Sequence, residues 1–471
     1  MANLLSILSG AQTSLAAQRA LTATASHNIN NANTPGYARQ TAVLTTLTPA
    51  EQVSGAFIGR GATLDTVTQA RNRFLEAQIP QALGNAAYNT AESDGLQAYH
   101  GLDPEATGGL GSAISGFYAS LTSLAQNPSD AGLRTSFLGA ARTLARTFNR
   151  TSGEIESARS GLDAQANGLT TQINSEAKAV AELNVQIRQA RGTGAEPNDL
   201  LDLRQTHLDK LAELAGASFV PTSDGDVNVT LPGGVALVAG SHSGTLSTTA
   251  DGQIPTHLDI TFTQPDGSKL GILPGTAFGG TLGGTLSARD GALLTSGQRV
   301  DQLAYDLANA INGVHSAGAG LDGLSGRLLF AGLGATASGA AAGVTVAISD
   351  PAQLGMAGAP TPPATVAPGD ASNAQFLLGT ESAALPGGKD VRSTVSDIVS
   401  QFGSSSATAK AFADQDGALK DNLTRMRDSY SGVSIDEEMI TMQQAQRGYE
   451  AIAKVIQTTD QMMQTLLSIK T

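Results

Sequence analysis

Apolar side chains recur at spacings of three and four over the first thirty residues. The series consists of Leu4, Leu8, Ala11, Leu15, Thr22, Ala25 and Ile29. Positions with this spacing lie on one face of an α-helix, and only Gln18 interrupts the row. The pattern therefore predicts an amphipathic helix over about residues 1–30.

An asparagine-rich stretch followed by Pro35 and Gly36 predicts the end of this helix. Pro35 biases Thr34 away from the helical region, and a Pro-Gly pair suits the centre of a type II turn. Thr and β-branched residues are frequent from Tyr37 to Leu47. This composition favours an extended arm after the turn.

The last forty residues repeat the helical pattern. Ser434 and Glu437 have the spacing of a capping box, which predicts a helix start. The apolar series that follows is Met442, Ala445, Tyr449, Ile452, Ile456, Thr459, Met463 and Leu466. Amphipathic helices at both termini favour pairing with each other or with other subunits, whereas either one alone could equally be a core helix of a globular domain.

The interior combines helical and strand patterns. Helices are predicted over 110–126, 130–149, about 169–190, about 201–214, 286–312, 391–402 and 405–429. Alternating apolar residues indicate β-hairpins between about 218 and 285. Pro80 leaves the course of the helix around it open.

Residues 331–371 are rich in Ala, Gly, Pro, Ser and Thr, including the run from Ala359 to Ala364. Such a composition is expected to bury little apolar surface. Val344, Val346 and Ile348 indicate one short strand within it.

Composition excludes several classes of function. A formal net charge of −13 opposes a large phosphate-binding surface, so no nucleic-acid partner is expected. The absence of cysteine removes disulfides, thiolate metal sites and a cysteine nucleophile. No apolar run reaches about 18 residues, so membrane insertion is not expected. The N-terminus lacks the features of a Sec signal peptide, which leaves a cytosolic protein or export without a cleaved signal.

The sequence gives little support for a chemical site. Gly318 to Gly323 match G-x-G-x-x-G, but a predicted helix precedes them instead of a strand. The histidines fall outside H-E-x-x-H and are expected to lie singly on the surface; they are His27, His100, His207, His242, His257 and His315. We expect no catalytic, cofactor-binding or metal-binding residues. An enzyme would need a catalytic constellation within 218–370, where the sequence shows none.

Both ends of the chain resemble the flagellar rod, hook and hook-associated proteins. Residues 28–40, with the core Asn33-Thr-Pro-Gly-Tyr-Ala-Arg-Gln40, are similar to the N-terminal signature of that family. The C-terminal segment of the same family is similar to residues 431–438, 445–449 and 453–458. Hook and rod proteins more often have Val-Gly-Phe in place of Pro35-Gly36-Tyr37, and Arg39-Gln40 is typical of hook-associated members. Ala38 departs from the family, which commonly has Ser there.

Interior segments extend the resemblance. Residues 116–121, 126–130 and 196–204 agree with the hook-associated members, and the likeness covers roughly 1–320 and 390–471. Together with the helical patterns, it implies a mainly α fold with a smaller β region. Long coiled-coil-like terminal helices would flank a helical-bundle middle domain built from both halves of the chain, with the β-hairpin portion inserted.

The implied domains follow the chain. They are the first part of an inner-core coiled coil (1–60), a helical middle domain (61–217, 286–330 and 372–432), a β-hairpin region (218–285), a short variable outer insert (331–371) and the C-terminal helix of the inner core (433–471).

The resemblance implies a structural function without a cofactor. The chain would join hook to filament by helical self-assembly through its terminal helices; a hook or rod protein is the alternative. Implied partners are further copies of the chain, the hook protein, hook-associated protein 3, an export chaperone and the type III export apparatus, with an extracellular place on the flagellum. The expected interface residues are Leu4, Leu8, Ala11, Leu15, Ile29, Asn33, Pro35, Gly36, Tyr37, Arg39, Met442, Ala445, Tyr449, Ile452, Ile456, Met463 and Leu466.

Overall fold

A computed structural model describes residues 2–47, 51–53, 56–58, 60–99, 108–250, 257–359 and 366–469. His100 and most of the proline-rich run at 359–364 lie outside these residues. The helices are α1 (Ala2–Asn31), α2 (Arg73–Gln97), α3 (Leu110–Gln126), α4 (Ala131–Gly192), α5 (Asn198–Ala215), α6 (Gly280–Ala288), α7 (Leu294–Ala317), α8 (Ala340–Gly343), α9 (Ser372–Gly379), α10 (Val391–Ser431) and α11 (Ile435–Ile469).

The strands are short and antiparallel. They are β1 (Gln40–Thr46), β2 (Glu51–Val53), β3 (Ala56–Ile58), β4 (Ala62–Gln69), β5 (Ser218–Pro221), β6 (Val227–Thr230), β7 (Ala236–Ala239), β8 (His242–Ser243), β9 (Thr245–Ala250), β10 (Leu258–Thr263), β11 (Lys269–Leu273), β12 (Gly318–Ala319), β13 (Phe330–Ala331), β14 (Thr345–Val346) and β15 (Ala357–Gly358). Sheets of order β5-β6-β7-β8 and β11-β10-β9 form the β region, and β1 pairs with β4. The mainly α fold with a smaller β region is confirmed.

Helix α4 is one continuous helix of 62 residues, where the sequence predicted two separate segments. Asp130 caps it by accepting a hydrogen bond from the Leu133 amide. Between the predicted segments, Thr151, Ile155, Arg159 and Leu162 continue the buried row. The prediction failed there because a threonine and an arginine occupy buried positions that an apolar pattern does not reveal. Similarly, α10 runs unbroken through the predicted gap at 403–404.

The β region ends earlier than predicted. Strand β11 ends at Leu273 and α6 begins at Gly280, before the predicted helix start at 286. The glycines of α6 conceal it, because glycine is a poor helix former. They are needed for close packing: a Cβ at Gly284 would lie 2.0 Å from the carbonyl oxygen of Tyr88 in α2. Helix α2 itself continues through the buried Pro80.

Residues 331–371 pack better than their composition suggested. Ala341, Val344, Leu354 and Met356 are buried in the main core with α3, α4 and α7, so the expectation of little apolar burial is wrong for them. Side chains of α4 bind the backbone of this segment: Arg134 donates to the Leu354 carbonyl at 3.0 Å. The predicted strand is β14, paired with β13. The division of the chain into inner-core, middle and outer domains stays a prediction.

Candidate assembly interface

Helices α1 and α11 pack along each other, and the two predicted apolar rows face the contact. From α1, Leu4, Leu8, Leu15 and Ile29 are half-buried and Ala11 is buried. From α11, Ala445 is buried, whereas Met442, Tyr449, Ile452, Ile456 and Met463 are half-buried. Leu466, near the end of α11, shares a groove with Leu4 but remains 48% exposed. Both rows are thus brought together, and the pair leaves part of its apolar surface uncovered.

A polar contact fixes the register of the two helices. Nη2 of Arg19 donates to the Tyr449 hydroxyl at 3.2 Å, and the guanidinium lies 5.6 Å from the centre of the Tyr449 ring. Gly448 packs against Gln18, the one residue that interrupts the apolar row of α1: a Cβ at Gly448 would lie 2.9 Å from the Gln18 side chain. Gln18 therefore belongs to the contact although it is polar.

A second buried face of α1 packs on the arm formed by β1 and β4. Gly10 and Ala17 are buried on this face. A Cβ at Gly10 would lie 2.6 Å from the Arg60 carbonyl oxygen, so only glycine permits this approach. The sequence did not predict this second face, since Gly10 and Ala17 contribute little to an apolar pattern.

The turn after α1 has the predicted geometry. The Tyr37 amide donates to the Thr34 carbonyl at 3.2 Å, and Gly36 has a φ of 79°. Positive φ at this position is the mark of a type II turn and favours glycine. Asn33, Pro35 and Gly36 are exposed, whereas Tyr37 turns back toward α1 and is half-buried.

Asn28 holds the turn against the helix. Its side-chain oxygen accepts from the Tyr37 hydroxyl at 2.7 Å and from the Gln40 amide at 2.9 Å. Its side-chain nitrogen donates to the Gln40 carbonyl at 2.8 Å. Asn28 is itself buried. A single amide thus links the last turns of α1, the turn and the start of β1.

Helix α5 supplies the carboxylates that receive this turn. Oδ2 of Asp202 accepts from the Ala38 amide at 3.3 Å, and Oδ1 accepts from Gln69 at 2.8 Å and from Arg71 at 2.5 Å. Asp199 accepts from Gln40 at 2.8 Å and lies 3.1 Å from His27 Nε2. The N-terminal arm is therefore fixed to the middle of the chain.

Arg39 connects the same turn to the C-terminal helix. Its amide donates to the Ser431 carbonyl at 2.9 Å, where α10 ends. Its Nε donates to Glu438 at 2.6 Å, and its Nη1 lies 3.1 Å from Glu437, both in the first turns of α11. Ser434 accepts from the Glu437 amide at 3.5 Å, which is one of the two bonds of the predicted capping box, while the Glu437 carboxylate faces Arg39. We call Asn28, Tyr37, Arg39, Asp202 and Glu438 the anchor.

Burial raises the pKa of two residues of the anchor. It raises the pKa of the Tyr37 phenol, and the charge of Asp199 adds to this effect, so the hydroxyl keeps the proton that it donates to Asn28. Burial also raises the pKa of Asp202, against the opposing effect of Arg71 and the other donors. The Asp202 carboxylate thus depends on Arg71, Gln69 and the Ala38 amide for its stability.

Asn28, Asp202 and Glu438 were not singled out from the sequence. Each lies inside a segment that carried the family resemblance, at 28–40, 196–204 and 431–438. The positions were therefore visible, but their shared role depends on contacts between residues far apart in the chain.

The histidines differ from the expectation of isolated surface residues. His257 is buried with Nδ1 2.7 Å from Asp163, and His315 is buried between the backbones of Arg327 and Gly355. The prediction is wrong for both, because each side chain satisfies polar groups inside the fold. Within the described part of the chain, no three His, Asp or Glu side chains cluster closely enough to hold a metal ion.

The glycine motif at 318–323 follows α7 directly and enters a turn, so it lacks the strand–loop–helix context of a dinucleotide site. None of the described helices is long and apolar enough to span a bilayer.

The chain matches two family models. Residues 100–330 match the flagellar hook-associated protein FlgK helical domain, and residues 428–469 match the C-terminal domain of the flagellar basal body rod FlgEFG proteins. The first match runs from before α3 to the start of β13, and the second runs from the end of α10 through α11.

Curated relatives match over nearly the whole length. Flagellar hook-associated protein 1 of Salmonella typhimurium is 25% identical, covering 99% of this chain and 100% of the relative. The proteins of the same name from Escherichia coli and Bacillus subtilis are 25% and 26% identical, covering 99% and 98% of this chain.

A solved structure shares the fold. The flagellar hook junction protein FlgK from Burkholderia pseudomallei superposes with a TM-score of 0.66 at 19% identity, covering 77% of this chain and 100% of that one. The family match of the helical domain, the full-length relatives and the shared fold agree with one another. The chain therefore belongs to the flagellar hook-associated protein 1 family.

Proposed function

We propose that this chain is a structural subunit of the bacterial flagellum that forms the junction between hook and filament. The observation that carries the proposal is the anchor, where the N-terminal turn, α5 and the start of α11 meet. A subunit that transmits force needs its assembly helices fixed to its body, and Asn28, Asp202 and Glu438 supply that connection.

The terminal helices are the proposed assembly element. When α1 and α11 are paired, the end of the pair away from the anchor still exposes Leu5, Ile7, Met462, Leu466 and Leu467. Exposed apolar side chains such as these favour burial against further copies of the same helices. Contacts between different surfaces of successive copies generate a helical tube when they do not close into a ring.

The proposed partners follow from this position. One end of the assembly would contact the hook protein and the other hook-associated protein 3. Before assembly, an export chaperone would cover the apolar row of α11, and the chain would leave the cell through the type III export apparatus without a cleaved signal. The alternative is a hook or rod protein, which shares the C-terminal domain and occupies another position along the flagellum.

Location on purified flagella tests the proposal. Antibodies against residues 218–273, whose strands lie outside the terminal helices, should label one narrow band between hook and filament in electron micrographs. A strain without the protein should make hooks of normal length and release filament subunits into the medium. Label along the whole hook or in the rod would favour the alternative, and absence from flagella would contradict both.

A further inference from the structure

Helix α10 carries a row of apolar side chains that stay exposed among the described residues of a single subunit. Phe412, Leu419 and Met426 follow at intervals of seven and Tyr430 comes four residues later. Residues at these spacings lie on one side of a helix. The four residues are between 49% and 55% exposed.

Phe74 extends this row onto the neighbouring helix. Helices α2 and α10 are antiparallel, because Asn89 bonds Asp416 at 2.7 Å while Leu423 packs near the start of α2. Glu92 shares a groove with Phe412. Phe74 precedes Glu92 by 18 residues, or five full turns, and so lies on the same side of α2. At 70% exposure, Phe74 therefore adds to the apolar surface near Met426 and Tyr430.

Between Phe74 and Asn85 on α2, and between Phe412 and Tyr430 on α10, this side carries amide groups, and Glu92 borders it beside Phe412. On α2 the row continues from Phe74 through Gln78, Gln81 and Asn85, and on α10 the intervening positions are Gln415 and Asn422. We call this surface, formed by Phe74, Gln78, Gln81 and Asn85 with Phe412, Gln415, Leu419, Asn422, Met426 and Tyr430, the amide–apolar face. Its five large side chains expose on the order of 500 Å², comparable to the largest apolar patch of a typical monomer.

We propose that the amide–apolar face binds a second copy of this chain and forms a self-contact separate from the terminal helices. This inference rests on the proposed function. Each copy carries a formal charge of −13, so two copies repel each other except where charges are absent. The amide–apolar face provides such a region, and its apolar and amide groups match the composition of the buried part of a protein interface.

The position of the amide–apolar face also indicates that a second copy of the chain binds it. Tyr430 directly precedes Ser431, whose carbonyl accepts the Arg39 amide at the anchor. Beyond Ser431 the chain enters α11, where Ile435, Met439 and Ile440 remain exposed. The row on α10 thus ends next to the root of the terminal helices in the chain. Copies held side by side by those helices would bring their α10 helices near a neighbour and cover the face.

Photocrosslinking in cells tests this contact. Leu419 is replaced by p-benzoylphenylalanine in the full chain, and Ala418, which is exposed and one residue earlier, is replaced in a matched control. Because adjacent residues point about 100° apart on a helix, only the probe at 419 lies on the amide–apolar face. Irradiation of intact flagella should link the 419 variant to a second copy of the chain, with little product from the 418 variant.

The double variant Leu419→Gln/Met426→Gln measures the contribution of the face. With the probe moved to Phe412, this variant should lower the yield of crosslinked dimer by about tenfold or more, since two buried apolar side chains are lost. Ala418→Gln/Arg425→Gln is the matched control and should keep the yield. Circular dichroism should show the same helix content for both, which separates loss of contact from loss of fold.

Other outcomes would overturn the inference. A crosslink from position 419 to the hook protein or to another flagellar protein would show a different occupant. No crosslink, although immunoblotting finds the variant on flagella, would show that the face stays free. Before irradiation, immunoblotting also checks that the unmodified protein is on flagella. If it is not, the proposed function is wrong, and this inference fails together with it.

Discussion

Arg39 and Glu438 lie 399 positions apart in the sequence, and Nε of Arg39 donates a 2.6 Å hydrogen bond to Oε1 of Glu438. The Glu438 side chain is only 4% exposed, whereas that of Glu437, the second carboxylate near Arg39, is 62% exposed. Of the two ion pairs, the one with Glu438 therefore ties the start of α11 to the N-terminal turn.

Glu438→Ala is expected to loosen α11 from the anchor. Losing a buried charged hydrogen bond costs roughly 1.5–3 kcal/mol. Hydrogen exchange of the amides at 437–445 should accordingly become at least about tenfold faster in the isolated chain, because opening of this segment needs less free energy.

Glu437→Ala is the matched control for this change. It removes an exposed carboxylate from the same helical turn, and exposed pairs contribute at most about 1 kcal/mol. Equal exchange rates in the two variants would contradict the assignment of Glu438 to the anchor.

Gly36→Val is expected to strain the N-terminal turn. Gly36 has a φ of 79°, and an added Cβ would lie 2.6 Å from the Thr206 hydroxyl of α5. The unfavourable φ costs roughly 1 kcal/mol or more, and the clash adds to it. Urea unfolding should show the loss of stability, and the variant should impair motility while the middle helices keep their circular dichroism.

Gly36→Asn and Thr206→Ala separate the two causes. Asn tolerates positive φ better than Val, so Gly36→Asn should lose less stability. Combining Thr206→Ala with Gly36→Val should recover only the part due to the clash. A Gly36→Val chain as stable as the original would show that the turn is not held in this conformation.

The anchor shows where prediction from sequence reached its limit. The rows containing Leu15 and Ile456 were found because their spacing repeats over several turns of one helix. Asp202 accepts the Ala38 amide across 164 residues, whereas Asn28 bonds Tyr37 and Gln40 within the turn. Neither Asn28 nor Asp202 belongs to a periodic pattern. Only the folded chain brings such isolated polar side chains together, so their role could not be derived from spacing.

The interior shows a second limit. In α4, Arg159 occupies a buried position and donates to the Arg289 carbonyl at 3.1 Å. A charged residue is normally taken to be exposed, so Arg159 interrupted the apolar pattern. The sequence therefore predicted two helices where the structure has one. Gly283 and Gly284 of α6 fell within the predicted β-hairpin region, yet they are the residues that let α6 approach α2. Packing thus overrides local propensity in both helices.

His315 is expected to make stability depend on pH. Its Nε2 accepts from the Gly355 amide at 3.0 Å, so Nδ1 carries the proton and donates to the Arg327 carbonyl at 2.8 Å. Burial lowers the pKa of His315 below its ordinary value of 6.5. The unfolded chain therefore binds a proton first, and the free energy of unfolding that is present above about pH 6.5 falls as the pH drops toward the lowered pKa.

Comparing the original chain with His315→Gln tests this dependence. Urea unfolding at about pH 7.5 and about pH 5.5 should show that the original chain loses roughly 1 kcal/mol more than the variant between the two values. The other histidines are present in both chains and cancel in the difference. An equal loss in the two chains would mean that His315 does not titrate as its buried position requires.

Ile456→Asp is expected to disable the apolar row of α11. Ile456 lies half-buried against α1 in the single subunit, together with Ile452 and Met463. A charge placed there would cost about 3 kcal/mol wherever a chaperone or sister helices cover the row, because an unpaired carboxylate would be buried. We therefore expect weaker chaperone binding in calorimetry and, in cells, hooks of normal length that shed filament subunits into the medium.

Gln457→Ala controls for the helix itself. Gln457 is exposed and points away from the row, and alanine favours helix, so this variant should bind chaperone and support filaments like the original. The comparison separates the row from general helix stability, since both changes lie in the same turn of α11. If Ile456→Asp matches Gln457→Ala in both assays, the surface that binds partners lies on another face of α11, and exposed residues such as Val455 and Met462 become the positions to test.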